Sequence, residues 1–186
     1  KYPGRAGQIV EADFLKVNLN DMFSGQFAII GNFPYNISSQ ILFRVLEMRE
    51  RIPEVVGMFQ KEVAERIASG PGNRDYGILS VFMQAYYRPE LLFTLPESAF
   101  TPPPKVKSAV LRFERKENFT LGCDQAAFFR TVKAAFNQRR KTLRNALSVL
   151  LPKDKMEGLP FLERRAETLR WEDYVMLTNL ILDRMV

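Results

Sequence analysis

Residues 27–30 read Phe-Ala-Ile-Ile, a short apolar run that stops at Gly31-Asn32-Phe33-Pro34-Tyr35 and gives way to a helical pattern from Ser39. An apolar run closed by turn residues and followed by a 3.6-residue stripe marks a strand–loop–helix unit. In the helical stretch Ser39–Glu50 the stripe consists of Ile41, Leu42, Val45, Leu46 and Met48. The alternation recurs through the first half of the chain. Strands are predicted at Ile9–Ala12, Phe27–Ile30 and Val55–Phe59, and helices at Ser39–Glu50, Lys61–Ala68 and Ile78–Ala85. That order belongs to βαβ units on a parallel sheet, with Phe27–Ile30 as a buried strand. Leu91–Leu95 and Ser108–Glu114 read as two further strands, expected to adjoin at the edge of the sheet.

After Lys116 the pattern changes. Gln125–Phe136, Arg139–Leu151 and Trp171–Arg184 all read as helices, with few strand signals between them. The prediction is an α/β domain over residues 1–116 and a small all-α domain over 117–186. Between the last two strands lies Phe100-Thr101-Pro102-Pro103-Pro104-Lys105-Val106-Lys107. Three prolines cannot donate to a ladder, so the segment is expected to be stiff, extended and exposed.

Several chemistries are excluded at once. The chain has no histidine and a single cysteine, Cys123, so it holds no Ser-His triad, no internal disulfide and no multi-cysteine metal site. Cys123, with no imidazole to activate it, is expected to pack rather than react. No apolar run reaches the roughly 20 residues that span a bilayer, and cysteine usage predicts a cytoplasmic protein. The net charge of +6 is unevenly placed: between Thr101 and Arg144 eleven Lys/Arg face only Glu114, Glu117 and Asp124. Cations concentrated in this way form either a polyanion-binding surface or a solvated basic face. The densest part is Phe136-Asn137-Gln138-Arg139-Arg140-Lys141-Thr142-Leu143-Arg144. Asn137 reads as the cap of a second helix on which Leu143, Leu147 and Leu150 face inward, and Arg140 and Arg144 outward.

The pentapeptide at 31–35 falls where open α/β sheets bind ligands, at the carboxyl end of a strand. The Asn32 side-chain carbonyl and the backbone carbonyl of Phe33 or Pro34 can both accept hydrogen bonds from an exocyclic amine. Tyr35 offers a flat face for a base. An enzyme working on a base must take it out of the stack, and Phe100 is placed to cover its other face, with Lys105 and Lys107 on neighbouring phosphates. A plain strand-ending turn and a plain proline connector would use the same residues. Asp13, at the end of the first predicted strand, either accepts from the adenine amino group of a cofactor flanked by Phe14, or forms a turn.

Gly31-Asn32-Phe33-Pro34-Tyr35 resembles the Asn-(Leu/Pro/Phe)-Pro-Tyr signature of methyltransferases acting on the adenine amino nitrogen. With it, in order, stand Gln60-Lys61-Glu62-Val63-Ala64-Glu65-Arg66, Tyr76-Gly77, Phe100–Val106 with Ser108-Ala109-Val110, and Phe136–Lys141. Together they resemble the KsgA-type dimethyladenosine transferases of small-subunit ribosomal RNA, and the likeness runs essentially end to end. Phe33 departs from the leucine usual there. The resemblance implies a class I (Rossmann-like) methyltransferase sheet with a small helical carboxyl-terminal domain. It also implies S-adenosylmethionine as cofactor and dimethylation on N6 of two adjacent adenosines near the 3′ end of the RNA. Carried over by motif, Asn32, Phe33, Pro34, Tyr35 and Phe100 would hold the target base, and Asp13, Phe14 and Asn32 the cofactor. Lys105, Lys107, Arg139, Arg140, Lys141 and Arg144 would meet RNA. The expected partner is the immature small ribosomal subunit, met by a monomer. The family's Gly-rich cofactor loop would lie upstream of Lys1, so this stretch alone is expected to bind RNA without methylating it. Two other readings use the same residues: a non-catalytic RNA-binding assembly factor, or a methyltransferase of large-subunit RNA.

Overall fold

The structure is a computed structural model that describes Gly4 and residues 8–185. Four strands, β1 (Ile29–Asn32), β2 (Glu54–Gln60), β3 (Tyr87–Leu95) and β4 (Ser108–Arg115), form one sheet in the order β1-β2-β4-β3. A single helical turn, α1 (Leu19–Met22), precedes β1, and β1 and β2 run parallel, joined through helix α2 (Ser38–Glu47), as a crossover connection requires. β4 is antiparallel to both β2 and β3, so the sheet is mixed and β3 lies at its edge. Pro89 is tolerated there because an edge strand has one side free of ladder bonds, and the register slips between Leu91 and Phe93.

One face of the sheet is covered. Val55, Gly57 and Phe59 of β2 and Ala109, Leu111 and Phe113 of β4 are buried, and helices α3 (Lys61–Ala68) and α4 (Ile78–Tyr86) pack over them. α4 is the central element. Leu79, Val81, Phe82, Met83, Ala85 and Tyr86 are all buried, because the helix meets the sheet on one side and other helices on the rest. Its Phe82 touches Phe43 of α2 and stacks at 4.2 Å on Phe129 of α5 (Gln125–Asn137), so sheet and helices share one apolar core. α7 (Trp171–Met185) closes the far side with Tyr174, Leu177 and Ile181.

Two cations fasten the carboxyl-terminal helices to the sheet side. Lys116 donates to the carbonyl of Gln84 at the end of α4 and lies 4.1 Å from the centre of the Trp171 ring. Burial, above all, lowers its pKa. Arg139 donates to the carbonyls of Arg74 and Tyr76 and sits 3.8 Å from Glu167.

Three sequence expectations are corrected here. Residues 9–12 form no strand: Ile9 and Val10 are more than half exposed, and among the described residues nothing offers them a ladder. The strand expected at Phe27–Ile30 begins at Ile29 and is not buried, with Ile30 84% exposed, because β1 has one described neighbour and one covered face. The third concerns Arg139–Leu151. α5 continues to Asn137, which therefore caps nothing, residues 138–141 turn, and the next helix, α6 (Leu143–Ala146), starts after Thr142. Thr142 bridges Arg165, while the amides of Leu143 and Arg144 donate to Arg164 and Leu162. These tertiary bonds take the donors that a continuous helix would have used.

Phe59 is fully buried, with Phe33 and Phe113 edge-on at 5.5 and 6.0 Å. Phe59→Ala is expected to lower the unfolding free energy by about 3–5 kcal/mol in urea denaturation; a loss below about 1 kcal/mol would mean that this aromatic chain does not hold the sheet to its loops.

Candidate active site and nucleic-acid face

Asn32 is the last residue of β1, paired in register with Met58; its side chain is exposed and hydrogen-bonds to no described residue. Directly after it, the Phe33 ring turns inward and is 7% exposed. The ring lies across Gly31 and Gly57, which face each other on β1 and β2. A methyl group on Gly57 would stand 2.3 Å from Phe33 Cε2, and one on Gly31 2.9 Å from Cε1. Any side chain at Gly57 would thus need the ring's place.

Pro34 leads into a 3-10 turn, Tyr35–Ile37, and its carbonyl accepts the Ile37 amide at 3.1 Å. Of the two backbone carbonyls considered as amine acceptors, the one on Pro34 already accepts one hydrogen bond within the turn, which makes the Phe33 carbonyl the better candidate. The Ser38 hydroxyl donates to the Tyr35 carbonyl at 3.1 Å. Tyr35 is half-buried, and its phenol shares a 2.5 Å hydrogen bond with the hydroxyl of Ser108, which is fully buried at the start of β4.

That bond ties the loop after β1 to the proline segment. The Lys107 carbonyl also accepts the Lys61 amide at 2.9 Å, pinning the segment against the start of α3. Phe100, half-buried, closes a turn onto the Glu97 carbonyl. Tyr35 and Phe100 do not stack on one another. Lys105 and Lys107 are exposed and form no ion pair among the described residues.

Asp13 is at the head of a turn rather than at a strand end. Its Oδ1 accepts the Leu15 amide at 2.9 Å and its carbonyl those of Lys16 and Val17, which leaves Oδ2, 3.6 Å from Lys16, facing solvent. Arg44 holds this turn from α2 by donating to the carbonyls of Phe14 and Val17, with its guanidinium over one face of the Phe14 ring. Apart from its exposed ion pair with Lys16, Asp13 Oδ2 accepts no hydrogen bond among the described residues, and it stands one residue before the half-buried Phe14 ring.

On the basic face the six named cations divide. Arg139 is committed to Arg74, Tyr76 and Glu167, and Arg144 pairs with Glu163 at 2.7 Å. Arg140 and Lys141 are exposed, with no side-chain partner among the described residues. Cys123 is half-buried, and burial, then the adjacent Asp124, push its thiol pKa up, the reverse of an activated nucleophile.

Residue type alone missed Ser108, Arg44 and Gly57. The only signal for Gly57 was a glycine inside a strand pattern, which marks close approach by another group. The other two had no local signal, since their partners lie 73 and 30 or fewer residues away.

A strand-ending loop with an unbonded amide and a buried ring, on an α/β sheet closed by helices, is the architecture of an α/β methyltransferase. A family model described as ribosomal RNA adenine dimethylase matches residues 3–183. The chain is 54% identical over 180 residues to the "Ribosomal RNA small subunit methyltransferase A" of Cytophaga hutchinsonii, covering 97% of this chain and 70% of that protein. It is likewise 54% identical to the protein of that name from Parabacteroides distasonis, over 95% and 67%. Among solved structures it resembles a dimethyladenosine transferase from Plasmodium falciparum, with TM-score 0.81 and 25% identity over 95% and 73% of the two chains. It also resembles the 23S rRNA methyltransferase ErmE in fold, with TM-score 0.66 and 23% identity over 97% and 75%. The chain belongs to the ribosomal RNA adenine dimethylase family, whose methyl donor is S-adenosylmethionine.

The Tyr35–Ser108 bond invites a double-mutant cycle. Tyr35→Phe and Ser108→Ala are each expected to lower stability by about 1 kcal/mol, and the double variant by little more than either alone. Additive losses in thermal unfolding would mean that the bond does not join loop to segment.

Proposed function

We propose that this chain supplies the base-binding loop and RNA-binding face of an enzyme that dimethylates N6 of two adjacent adenosines near the 3′ end of small-subunit ribosomal RNA. The observation that carries the reading is the exposed, unbonded Asn32 amide beside the Phe33 carbonyl at the end of β1. Residues 1–116 serve as the catalytic domain and 117–186 as the helical RNA-binding domain. The protein works in the cytoplasm as a monomer on the immature small subunit.

The adenine amine is a poor nucleophile because its lone pair is delocalised into the ring. Hydrogen bonds from its two N–H groups to Asn32 Oδ1 and the Phe33 carbonyl draw the nitrogen towards a pyramidal geometry and aim its lone pair. Tyr35 and Phe100 bracket the extracted base. S-adenosylmethionine, when bound, supplies a methyl group activated by its positive sulfonium, with Asp13 Oδ2, Phe14 and Asn32 as the residues that would hold it. Orientation then does most of the work, and no imidazole base is demanded of a chain without histidine. Large-subunit RNA is the weaker reading. It rests on likeness of fold to one structure at 23% identity, against relatives at 54% that carry the small-subunit name.

In the full-length enzyme, Asn32→Ala is expected to reduce methyl incorporation into unmodified small subunits by a hundredfold or more on the scale of a lost oriented contact, about 10²–10³. RNA affinity should stay near that of the parent, since phosphate contacts dominate it. Near-parent incorporation would remove Asn32 from the site.

The basic face gives a separate test. Arg140→Ala with Lys141→Ala should lower the magnitude of the log affinity against log salt slope by about 1.5, at roughly 0.7–0.9 per phosphate. Arg139→Gln should change that slope less than either neighbour while lowering the melting temperature, because one of its terminal nitrogens is bonded to two backbone carbonyls of the fold and its charge lies beside Glu167. A slope reduced by Arg139→Gln alone would reverse the division.

A further inference from the structure

Beside the base site lies a second cleft, of about 360 Å³, walled by Gln60, Lys61, Glu62, Glu65, Glu97 and Lys107. It is contiguous with both walls of the base site. Lys107 precedes Ser108, which holds the Tyr35 phenol. The Glu97 carbonyl accepts the Phe100 amide, so Glu97 and Phe100 open and close one turn. Gln60 is the last residue of β2 and pairs in register with Ser108, while Met58, two residues earlier, pairs with Asn32. Side chains alternate along a strand, so Asn32, Met58 and Gln60 lie on one face of the sheet at the carboxyl ends of two parallel strands, where ligands bind. The Gln60 side chain is half-buried and makes no hydrogen bond among the described residues.

We propose that this cleft seats the nucleotide next to the target adenosine, and that Gln60 reads its base as adenine. The inference rests on the site reading above, in which one of two adjacent adenosines is drawn between Tyr35 and Phe100. The RNA backbone then holds the other within one nucleotide of the site, and the cleft adjoins it. Adenine presents an amine donor beside a ring-nitrogen acceptor, and a primary amide answers both, oxygen to amine and nitrogen to N7. Guanine presents two acceptors on that edge, O6 and N7, so the amide oxygen would face one of them. The carboxylates of Glu62 and Glu97, which only accept when ionised, favour the amine and oppose the guanine oxygen in the same way. Lys107, exposed and in no ion pair among the described residues, and Lys61, 3.4 Å from Glu65, are placed for the phosphate that joins the two nucleotides.

The test uses the full-length enzyme on small subunits reassembled from transcribed RNA, in which guanosine replaces one or the other of the two adenosines. The readout is kcat/KM for methylation of the adenosine that remains. In the parent, a guanosine neighbour should lower kcat/KM about ten- to a hundredfold in at least one of the two arrangements, the scale of a bidentate base contact. Gln60→Met, which keeps the length but loses the amide, should lower kcat/KM for the natural pair by a similar factor and shrink the guanosine penalty to less than about threefold. A merely structural role would slow both RNAs equally and leave the penalty intact. Gln60→Ala, judged in the same way, serves if Gln60→Met does not fold. A parent that methylates beside guanosine as readily as beside adenosine would overturn the proposal, as would a folded Gln60 variant that keeps the parent's penalty. If Asn32→Ala is inactive while the Gln60 variants keep the penalty, this inference alone fails; if Asn32→Ala stays active, the site reading itself fails.

Discussion

The Phe33 ring over a pair of facing glycines is the contact on which the rest of the site depends. It is where strand order becomes loop position: β1 and β2 pair in parallel, Gly31 meets Gly57, and their missing side chains leave a space that a ring can fill. With the ring in that space, Asn32 before it and Pro34 after it must point out of the sheet. Close packing makes this a stiff arrangement, since a group that fills its space has few ways to shift. Tyr35 is then brought to Ser108, 73 residues away, and the proline segment is tied to the same point. A loop that would otherwise pay its own ordering entropy is thus held at both ends by buried contacts.

The core explains how a basic run far along the chain is held at a fixed place against the sheet. α4 is buried on every side, and its Phe82 joins α2 to α5 by ring contacts. The connection is completed by cations used as donors to backbone carbonyls. Lys116 satisfies the end of α4 beneath Trp171, and Arg139 the loop that leads into it. Helix ends and buried loops leave carbonyls that need donors, and a long cationic side chain can reach them from another element. Charge is thereby divided: part of the basic run holds the molecule together, and Arg140 and Lys141 stay exposed without a side-chain partner among the described residues.

Much of this was legible in residue order. The limits of α3 were read to the residue, α4, α7, β2 and β4 to within a residue, and the adjoining of β3 and β4 at the edge followed from their patterns. The pentapeptide was placed at the carboxyl end of a strand, where it stands. Ile9–Ala12 was misread because an alternating apolar run becomes a strand only when a neighbour supplies a ladder. Arg139–Leu151 was misread because Thr142 and its neighbours give their backbone donors to residues 162–165. Asp13 forms the turn that was one of its two readings, and that turn is held by Arg44 from another helix.

The sequence by itself determined what is local and what is chemical: helical stripes, strand ends, an amide and a phenol at a loop, a surplus of cations, and no imidazole. These depend on residue type and on spacing of a few positions, which are written in the chain. Only the tertiary structure decided which carbonyl is free, which arginine is spent and which glycine must stay bare. Each of those is a competition for one donor, one acceptor or one small volume between residues far apart in sequence. The Pro34 carbonyl is lost to Ile37, Arg139 to Arg74, Tyr76 and Glu167, and the space above Gly57 to Phe33. No local pattern records the outcome of such a competition, because it is settled only when the competing groups meet.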